Sequence, residues 1–113
     1  MNFTKEQVIS FVAGAREEAR RASEKFFQEK LNGQDQFACG FAWVTVLEKG
    51  NTKLGRALKE AGFEKSYNGG LKLWNPSGMY VQNVDTLEAG AQAAAQYLQQ
   101  TMGIKAYADS RLD

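Results

Sequence analysis

Small and apolar residues recur every three or four positions through the first 31 residues of the chain. The segment TKEQ, which begins at Thr4, has the form of a capping box, and the pattern after it predicts an amphipathic helix that ends near Leu31, before Asn32-Gly33. At about 1.5 Å per residue such a helix is roughly 40 Å long. Its main apolar stripe consists of Val8, Phe11, Val12, Ala15, Ala19, Ala22 and Phe26.

A second set of apolar residues on this helix does not lie on the main stripe. Ile9, Phe27 and Leu31 belong to it. One interpretation is a core helix with a wide apolar face; the other is that part of the helix packs on another subunit. The pattern favours neither.

The segment FACGFAWVTVLE, residues 37–48, has the character of a strand. Both alternating sets are largely apolar, which predicts a central strand covered on two faces, with Phe41 and Trp43 in the core. Gly40 precedes most of this alternation. It marks either a simple strand entry or a place where another group approaches the backbone closely.

Turn and cap signals divide the middle of the chain. Asn51 predicts the cap of a short helix, TKLGRALKEAG, with Gly62 at its C-terminal end. The segments FEKSY and LKLW flank Asn68-Gly69-Gly70, and an Asn-Gly pair in this setting predicts a hairpin of two antiparallel strands. Pro76-Ser77-Gly78 predicts a turn, followed at 79–82 by a short strand or an extended loop.

The last third of the chain predicts one helix and one strand. Asp85 and Glu88 have capping-box spacing and predict an alanine-rich helix over 86–102 that ends at Gly103. Its small residues make it slim enough to lie close to a sheet or another helix. Residues 104–108 are expected to form an edge or inner strand.

This order of elements predicts an α+β protein. We expect a mainly antiparallel sheet of four or five short strands, packed against a long N-terminal helix, a short middle helix and the alanine-rich C-terminal helix. The length of 113 residues suits a single domain over 1–113, with the long helix at 1–32 and a ligand-binding α+β body at 37–113.

Composition narrows the chemistry. The chain has 14 basic and 13 acidic residues, and this net charge of +1 disfavours DNA or RNA as partners. It has no histidine, which excludes histidine-based catalysis and most zinc sites, and its single cysteine, Cys39, cannot form an internal disulfide. No metal site or cofactor is expected. The chain also has no apolar run of membrane-spanning length and no secretory signal pattern near its start, so we expect a cytoplasmic protein.

The segment KAYADSRLD at residues 105–113 combines groups suited to a nucleotide-like ligand. Arg111 offers a planar fork of donors for phosphate, Ser110 adds a hydroxyl, and Asp109 or Asp113 can accept from ribose or an exocyclic amine. A turn here would add backbone N–H donors. The candidates for stacking on a base are Trp74, Tyr80 and Tyr107. The alternative is an ordinary surface ion pair, and the common phosphate-loop and dinucleotide motifs are missing.

Several segments together resemble the small phage proteins of the Thoeris anti-defence protein 1 family. They are CGFAWVTV, KLGRALKEAGF, YNGGLKLWNPSG, the alanine-rich helix and the closing GIKAYADSRLD, so the resemblance covers residues 37–113. It implies a sponge that binds and sequesters a cyclic ADP-ribose signal without cleaving it, in the cytoplasm of an infected bacterial cell. The resemblance thus implies that TIR-dependent immunity is blocked, and no enzymatic activity is expected.

The resemblance also implies a pocket between residues 36–40 and a C-terminal loop at 109–113. Arg111 would bind the diphosphate, Asp113 a ribose or base edge, and the segment of Ala38, Cys39 and Gly40 would form the wall. An aromatic residue, Trp74 or Tyr80, would stack on the adenine, and a neighbouring amide would read the base edge. The candidates for that amide are Gln82 and Asn83.

The implied partners include further copies of the chain. A homo-oligomer is expected, a dimer or, as in some members of the family, a hexamer that holds cyclic di- or trinucleotides at separate sites. Two other classes of function stay open: a hydrolase of cyclic nucleotides that uses Asp109 or Asp113, and an inhibitor that binds a host protein through the long helix.

Overall fold

A computed structural model describes residues 2–67 and 69–113 of the chain. Within this part it contains three helices and four strands. The helices are α1 (Lys5–Leu31), α2 (Lys53–Glu60) and α3 (Val84–Met102), and the strands are β1 (Gly40–Val46), β2 (Glu64–Lys65), β3 (Leu71–Trp74) and β4 (Ala106–Leu112). The predicted α+β class, with an antiparallel sheet against a long N-terminal helix, is confirmed.

The four strands form one sheet in the order β2-β3-β1-β4, and every neighbouring pair is antiparallel. From β1 onward the chain runs β-α-β-β-α-β, which is the split β-α-β arrangement of ferredoxin-like domains. The predicted hairpin is present as β2 and β3, although Asn68 of its turn lies outside the described residues. Strand β1 is central, so its two ends and one of its faces can position a site.

The residues that cap the helices are largely those predicted from the sequence, with two exceptions. Thr4 forms the capping box of α1, and Asn32 ends that helix in the left-handed conformation at φ 52°. Helix α2 is capped by Thr52 and not by Asn51, because the Thr52 hydroxyl accepts from the Gly55 N–H. Helix α3 begins two residues earlier than predicted, because Asn83 caps it.

Helix α1 packs mainly along α3, and small residues bring the two helices together. Gly90 of α3 lies against Ala19 and Ser23 of α1, so its lack of a side chain is needed for this approach. The long axis of the molecule is 42 Å, which matches the length of α1. Of the second apolar set, Leu31 is buried within the chain and Ile9 is exposed, so subunit packing through α1 stays a prediction.

One face of β1 is covered by the helices, and the other is not. Ala42, Val44 and Val46 are buried, whereas Phe41 and Trp43 are only half-buried on the opposite side. The predictions that both faces are covered and that these two aromatic residues belong to the core are wrong. We call the uncovered side the open face; by register it carries Phe41, Trp43, Thr45, Glu64, Lys72, Trp74, Tyr107, Asp109 and Arg111.

Strand β4 is longer than predicted and begins later. It pairs with the whole of β1, from Val46 opposite Ala106 to Gly40 opposite Leu112. The expected turn and C-terminal loop at 109–113 are therefore wrong for residues 109–112, which are strand. Because side chains alternate along a strand, the expected cluster of groups is split between two faces of the sheet.

Candidate functional site

A cleft of about 410 Å³ lies at the end of the sheet where β1 begins and β4 ends. We call it the terminal cleft. It is lined by Cys39, Gly40, Phe41, Ala42, Trp74, Asn75, Met79, Tyr80, Val81, Gln82, Leu87 and Asp113. Its size is in the range of sites for small molecules. Residues 39–40 and 113, from the two segments that the resemblance implies, both contribute to it.

Backbone hydrogen bonds hold the walls of this cleft together. The N–H of Gly40 donates to the carbonyl of Gln82 at 3.0 Å, and the N–H of Val84 donates to the carbonyl of Ala38 at 2.9 Å. On the other side, the N–H of Asp113 donates to the carbonyl of Cys39 at 3.0 Å. The last residue is therefore attached to the wall of the cleft, and the Ala38 carbonyl is already used in that wall.

Asp35 anchors the loop that forms the far wall. Its carboxylate accepts from the N–H of Gln82 at 2.9 Å and from the N–H and side-chain amide of Asn83, each at 3.0 Å. The Asn83 side chain, followed by the Gln82 N–H, holds the pKa of Asp35 below its ordinary value of 3.8, against the opposing effect of desolvation. Sequence reasoning placed Asp35 only in a polar connector, because its partners are 47 and 48 residues away and leave no local signal.

The lowered pKa predicts a specific loss of stability in acid. The folded chain favours the charged carboxylate, so the contribution of Asp35 is complete above pH 3.8 and is lost as the pH falls from there through the lowered value. We expect Asp35→Asn to lower the melting temperature near neutral pH and to flatten its dependence on pH in this acid range. Thermal unfolding against pH checks this, with Glu29→Gln on α1 as the control. An equally steep profile in Asp35→Asn contradicts the assignment.

The two aromatic candidates for stacking differ in their surroundings. The ring of Trp74 stacks on Trp43 with centroids 5.6 Å apart and an interplanar angle of 11°, and it lies 5.5 Å from the ring of Phe41. The ammonium of Lys72 lies 5.4 Å from the Trp74 ring centre. Tyr80, in the loop of the far wall, is fully exposed. Tyr80 therefore presents its whole ring to a ligand, whereas the ring of Trp74 is partly covered by Trp43, Phe41 and Lys72.

Arg111 lies on the open face beside the terminal cleft. Its guanidinium carbon is 5.5 Å from the ring centre of Phe41, which lines that cleft. Arg111 also lines a second, neighbouring cleft of about 550 Å³ on the open face, which we call the sheet cleft. Asp109 lies in the sheet cleft too, where its carboxylate accepts from the Thr45 hydroxyl at 2.7 Å.

Six of the twelve predicted site residues do not line the terminal cleft: Arg111 and Asp109, described above, and four others. Asn83 is buried as the cap of α3, and Ser110 points to the helix side, where its hydroxyl donates to Glu88. Tyr107 is half exposed farther along the open face. Ala38 contributes the backbone pairing described above. The terminal cleft therefore brings together six of the expected residues, Cys39, Gly40, Trp74, Tyr80, Gln82 and Asp113.

Sequence reasoning missed the apolar part of the cleft. Phe41 was assigned to the core, and Asn75, Met79, Val81 and Leu87 were given no role. One signal was available for Phe41. In β1 the large side chains of Phe41 and Trp43 alternate with the smaller Ala42, Val44 and Val46. Small side chains let a helix pack closely on a sheet, so the smaller set is the one expected to face the helices.

The glycine at strand entry has a structural reason. A side chain on Gly40 would meet the carbonyl oxygen of Arg111 and, at 2.9 Å, the side chain of Val84. Both interpretations of Gly40 therefore hold: it begins β1, and the group that approaches it closely is the chain itself, in β4 and α3.

Comparison of the chain with protein-family models, curated proteins and solved structures found no match. Among the described residues, no group of three or more acidic or cysteine side chains is arranged to hold a metal ion. No helix in the same part of the chain is long and apolar enough to cross a membrane.

Proposed function

We propose that this protein binds a cyclic ADP-ribose-type signal nucleotide in the terminal cleft and sequesters it without cleavage, and that it thereby blocks TIR-dependent immunity in the cytoplasm of an infected bacterium. The observation that carries the proposal is the convergence of three kinds of group on one cleft. Aromatic surface comes from Phe41 and Tyr80, polar groups from Gln82 and Asp113, and a cation from the neighbouring Arg111.

Each kind of group suits one part of such a ligand. Tyr80 offers a free ring for the adenine. Gln82 can both donate to and accept from a base edge, and Asp113 can accept from ribose hydroxyls. The guanidinium of Arg111 can hold the diphosphate with paired, charge-assisted hydrogen bonds. The resemblance to the Thoeris anti-defence protein 1 family supplies the identity of the ligand.

The positions of the carboxylates favour binding over hydrolysis. Asp113 lines the terminal cleft, whereas Asp109 lies in the sheet cleft and is engaged by Thr45. Acid and base catalysis by two carboxylates requires both to flank the same bond. A mechanism that needs both carboxylates on one bond is therefore disfavoured, whereas a hydrolase that uses Asp113 alone is tested by the chemical identity of the nucleotide released from the protein.

Oligomer formation belongs to the proposal as well. We propose a homodimer, with a hexamer and a second site for cyclic di- or trinucleotides as extensions that the resemblance implies. The small residues of α3 are largely used within the chain, against α1, and give this proposal no further support.

Alanine substitution of the two stacking candidates is expected to give different results. Tyr80→Ala should weaken binding of the signal by about tenfold or more, since stacking of a base is worth roughly 1 to 3 kcal/mol, and should leave the melting temperature unchanged because Tyr80 is fully exposed. Trp74→Ala should weaken binding and also lower the melting temperature, because its ring packs on Trp43 and Phe41.

Calorimetry against a panel of cyclic ADP-ribose isomers, with a melting curve for each variant, measures both effects. Tyr67→Ala is the matched control, since Tyr67 is an equally exposed ring that does not line the terminal cleft. Tight binding of an isomer that Tyr80→Ala leaves unchanged contradicts the assignment of Tyr80. If no isomer binds, the proposed function itself is wrong.

A further inference from the structure

The open face has an unusual composition for the uncovered side of an antiparallel sheet. Such a face is ordinarily polar. Here Phe41, Trp43 and Trp74 form a continuous aromatic cluster, and Tyr107 lies on the same face, half exposed. An exposed patch of this kind indicates a binding surface.

Charged groups surround this aromatic cluster. Lys72 lies over Trp74, and Arg111 lies over Phe41. The acids on the same face are Glu64 and Asp109, the second of which is held by Thr45. Both cations lie at the aromatic cluster, so the phosphates of a strand bound to the rings would have a positive partner nearby.

A third cleft adjoins the sheet cleft at Gly69 and lies around the edge of the sheet, since Lys65 alternates with Glu64 and so is on the side opposite the open face. The sheet cleft reaches Gly69, which also lines a cleft of about 420 Å³ with Gly50, Gly70 and three lysines. We call it the lysine cleft; its lysines are Lys49, Lys59 and Lys65. None of the three forms an ion pair with another described residue; the basic members of the ion pairs in the described part of the chain are Lys5, Arg20 and Arg21.

The net charge of the whole chain does not show how unevenly its basic and acidic residues are distributed. Residues 49–72 carry six basic side chains and only two acidic ones, while on α1 Arg20 and Arg21 are paired with glutamates. A binding surface senses the local charge, since charges farther than about 8 Å are screened at physiological salt. The near-neutral total therefore does not decide what the open face binds.

We infer that the open face binds a short stretch of single-stranded RNA or DNA, with bases stacked on Trp43, Trp74 and Phe41 and phosphates directed by Lys72 and Arg111 toward the lysine cleft. This departs from the expectation, drawn from net charge, that the chain has no nucleic-acid partner. Alternate residues of a strand are about 6.7 Å apart, so the rings present two successive stacking positions. Four-stranded sheets in RNA-recognition domains bind unpaired bases in this way.

Stacking of unpaired bases on the open face predicts which nucleic acids should bind and how binding depends on salt. Stacking tolerates any base, so sequence preference is weak. Paired bases cannot be splayed onto the rings, so a duplex is rejected. Few phosphates are neutralised, so the dependence on salt is shallower than for proteins that bind through phosphates alone.

The test uses a fluorescently labelled single-stranded RNA of about ten nucleotides, which suits a surface of this size. Anisotropy is followed at about 50 mM salt and again at physiological salt. Both tryptophans of the chain are on the open face, so base stacking should also quench the intrinsic tryptophan emission. We expect Trp43→Ala to weaken binding at least tenfold and Lys72→Gln about threefold, with Lys25→Gln on α1 as the matched control.

Trp43→Phe keeps an aromatic ring and is expected to retain most of the affinity, which separates stacking from loss of packing. Tyr80→Ala is expected to bind RNA normally, so failure of this inference is distinguishable from failure of the terminal-cleft proposal.

The inference is overturned if the labelled strand causes neither an anisotropy change nor quenching, if duplex RNA binds as well, or if Trp43→Ala and Lys72→Gln bind like the unaltered chain. It is also overturned if the face mediates only self-association, seen as a dimer that Trp43→Ala dissociates without any RNA binding.

Discussion

Arg111→Ala is expected to raise the dissociation constant for the cyclic ADP-ribose-type signal by about a hundredfold or more while the domain stays folded. A guanidinium that holds a diphosphate makes two or more charge-assisted hydrogen bonds, each worth roughly 1.5 to 3 kcal/mol. Loss of about 3 kcal/mol corresponds to more than a hundredfold in affinity. The side chain is exposed on the open face and lies over the Phe41 ring, so stability should change little.

Two variants serve as controls for this result. Arg111→Lys keeps the charge but not the planar fork, and we expect it to recover only part of the lost affinity. Arg21→Ala removes an exposed arginine of α1 that is paired with Glu17 and Glu18, and it should bind the signal normally. Calorimetry on all three measures the effect. An unchanged dissociation constant in Arg111→Ala removes Arg111 from the site.

Gly40→Ala is expected to destabilise the fold by about 2 to 3 kcal/mol, because overpacking of a filled position costs in this range. The added carbon would meet the backbone carbonyl of Arg111, which is fixed by strand pairing, and the Val84 side chain at 2.9 Å. Neither neighbour is the free end of a flexible side chain. For a chain of this length the melting temperature should fall by roughly 10 °C.

Gly50→Ala is the matched control for this substitution. Its added carbon would meet the flexible end of Lys59 at 3.2 Å, which can move away, so the change in stability should stay within about 1 kcal/mol. Thermal and urea unfolding of both variants give the comparison. Equal melting temperatures for Gly40→Ala and the unaltered chain contradict this prediction. They would mean that β1 and β4 can move apart to accommodate the added carbon.

Local sequence chemistry determined most of the fold. The capping box at Thr4, the left-handed cap at Asn32 and the hairpin between β2 and β3 depend on residues close to one another in the chain, and all were predicted. The start of α3 was misplaced because Asn83 and Asp85 both suit a cap. The choice between them is made by Asp35, which is 48 residues from Asn83 and fixes its backbone. A contact of that separation leaves no local pattern.

The candidate site was predicted only in part, and the reason is the path of the chain end. The sequence KAYADSRLD gives the right groups but not their conformation, and a loop would have gathered Ser110 and Arg111 on one ligand. Pairing of β4 along the whole of β1 separates them by the alternation of a strand. The open face was missed for a related reason, since an apolar alternation does not say whether a helix or solvent covers the second side.

Recovery of the bound molecule tests the central claim most directly. The protein is mixed with less than one equivalent of each cyclic ADP-ribose isomer, separated from free ligand by gel filtration, heated to unfold it, and the released nucleotide is identified by chromatography and mass spectrometry. We predict that at least one isomer travels with the protein and is released chemically unchanged, and that it does not travel with Arg111→Ala. The proposal is contradicted if every isomer elutes as free ligand, or if the nucleotide released from the protein has been cleaved.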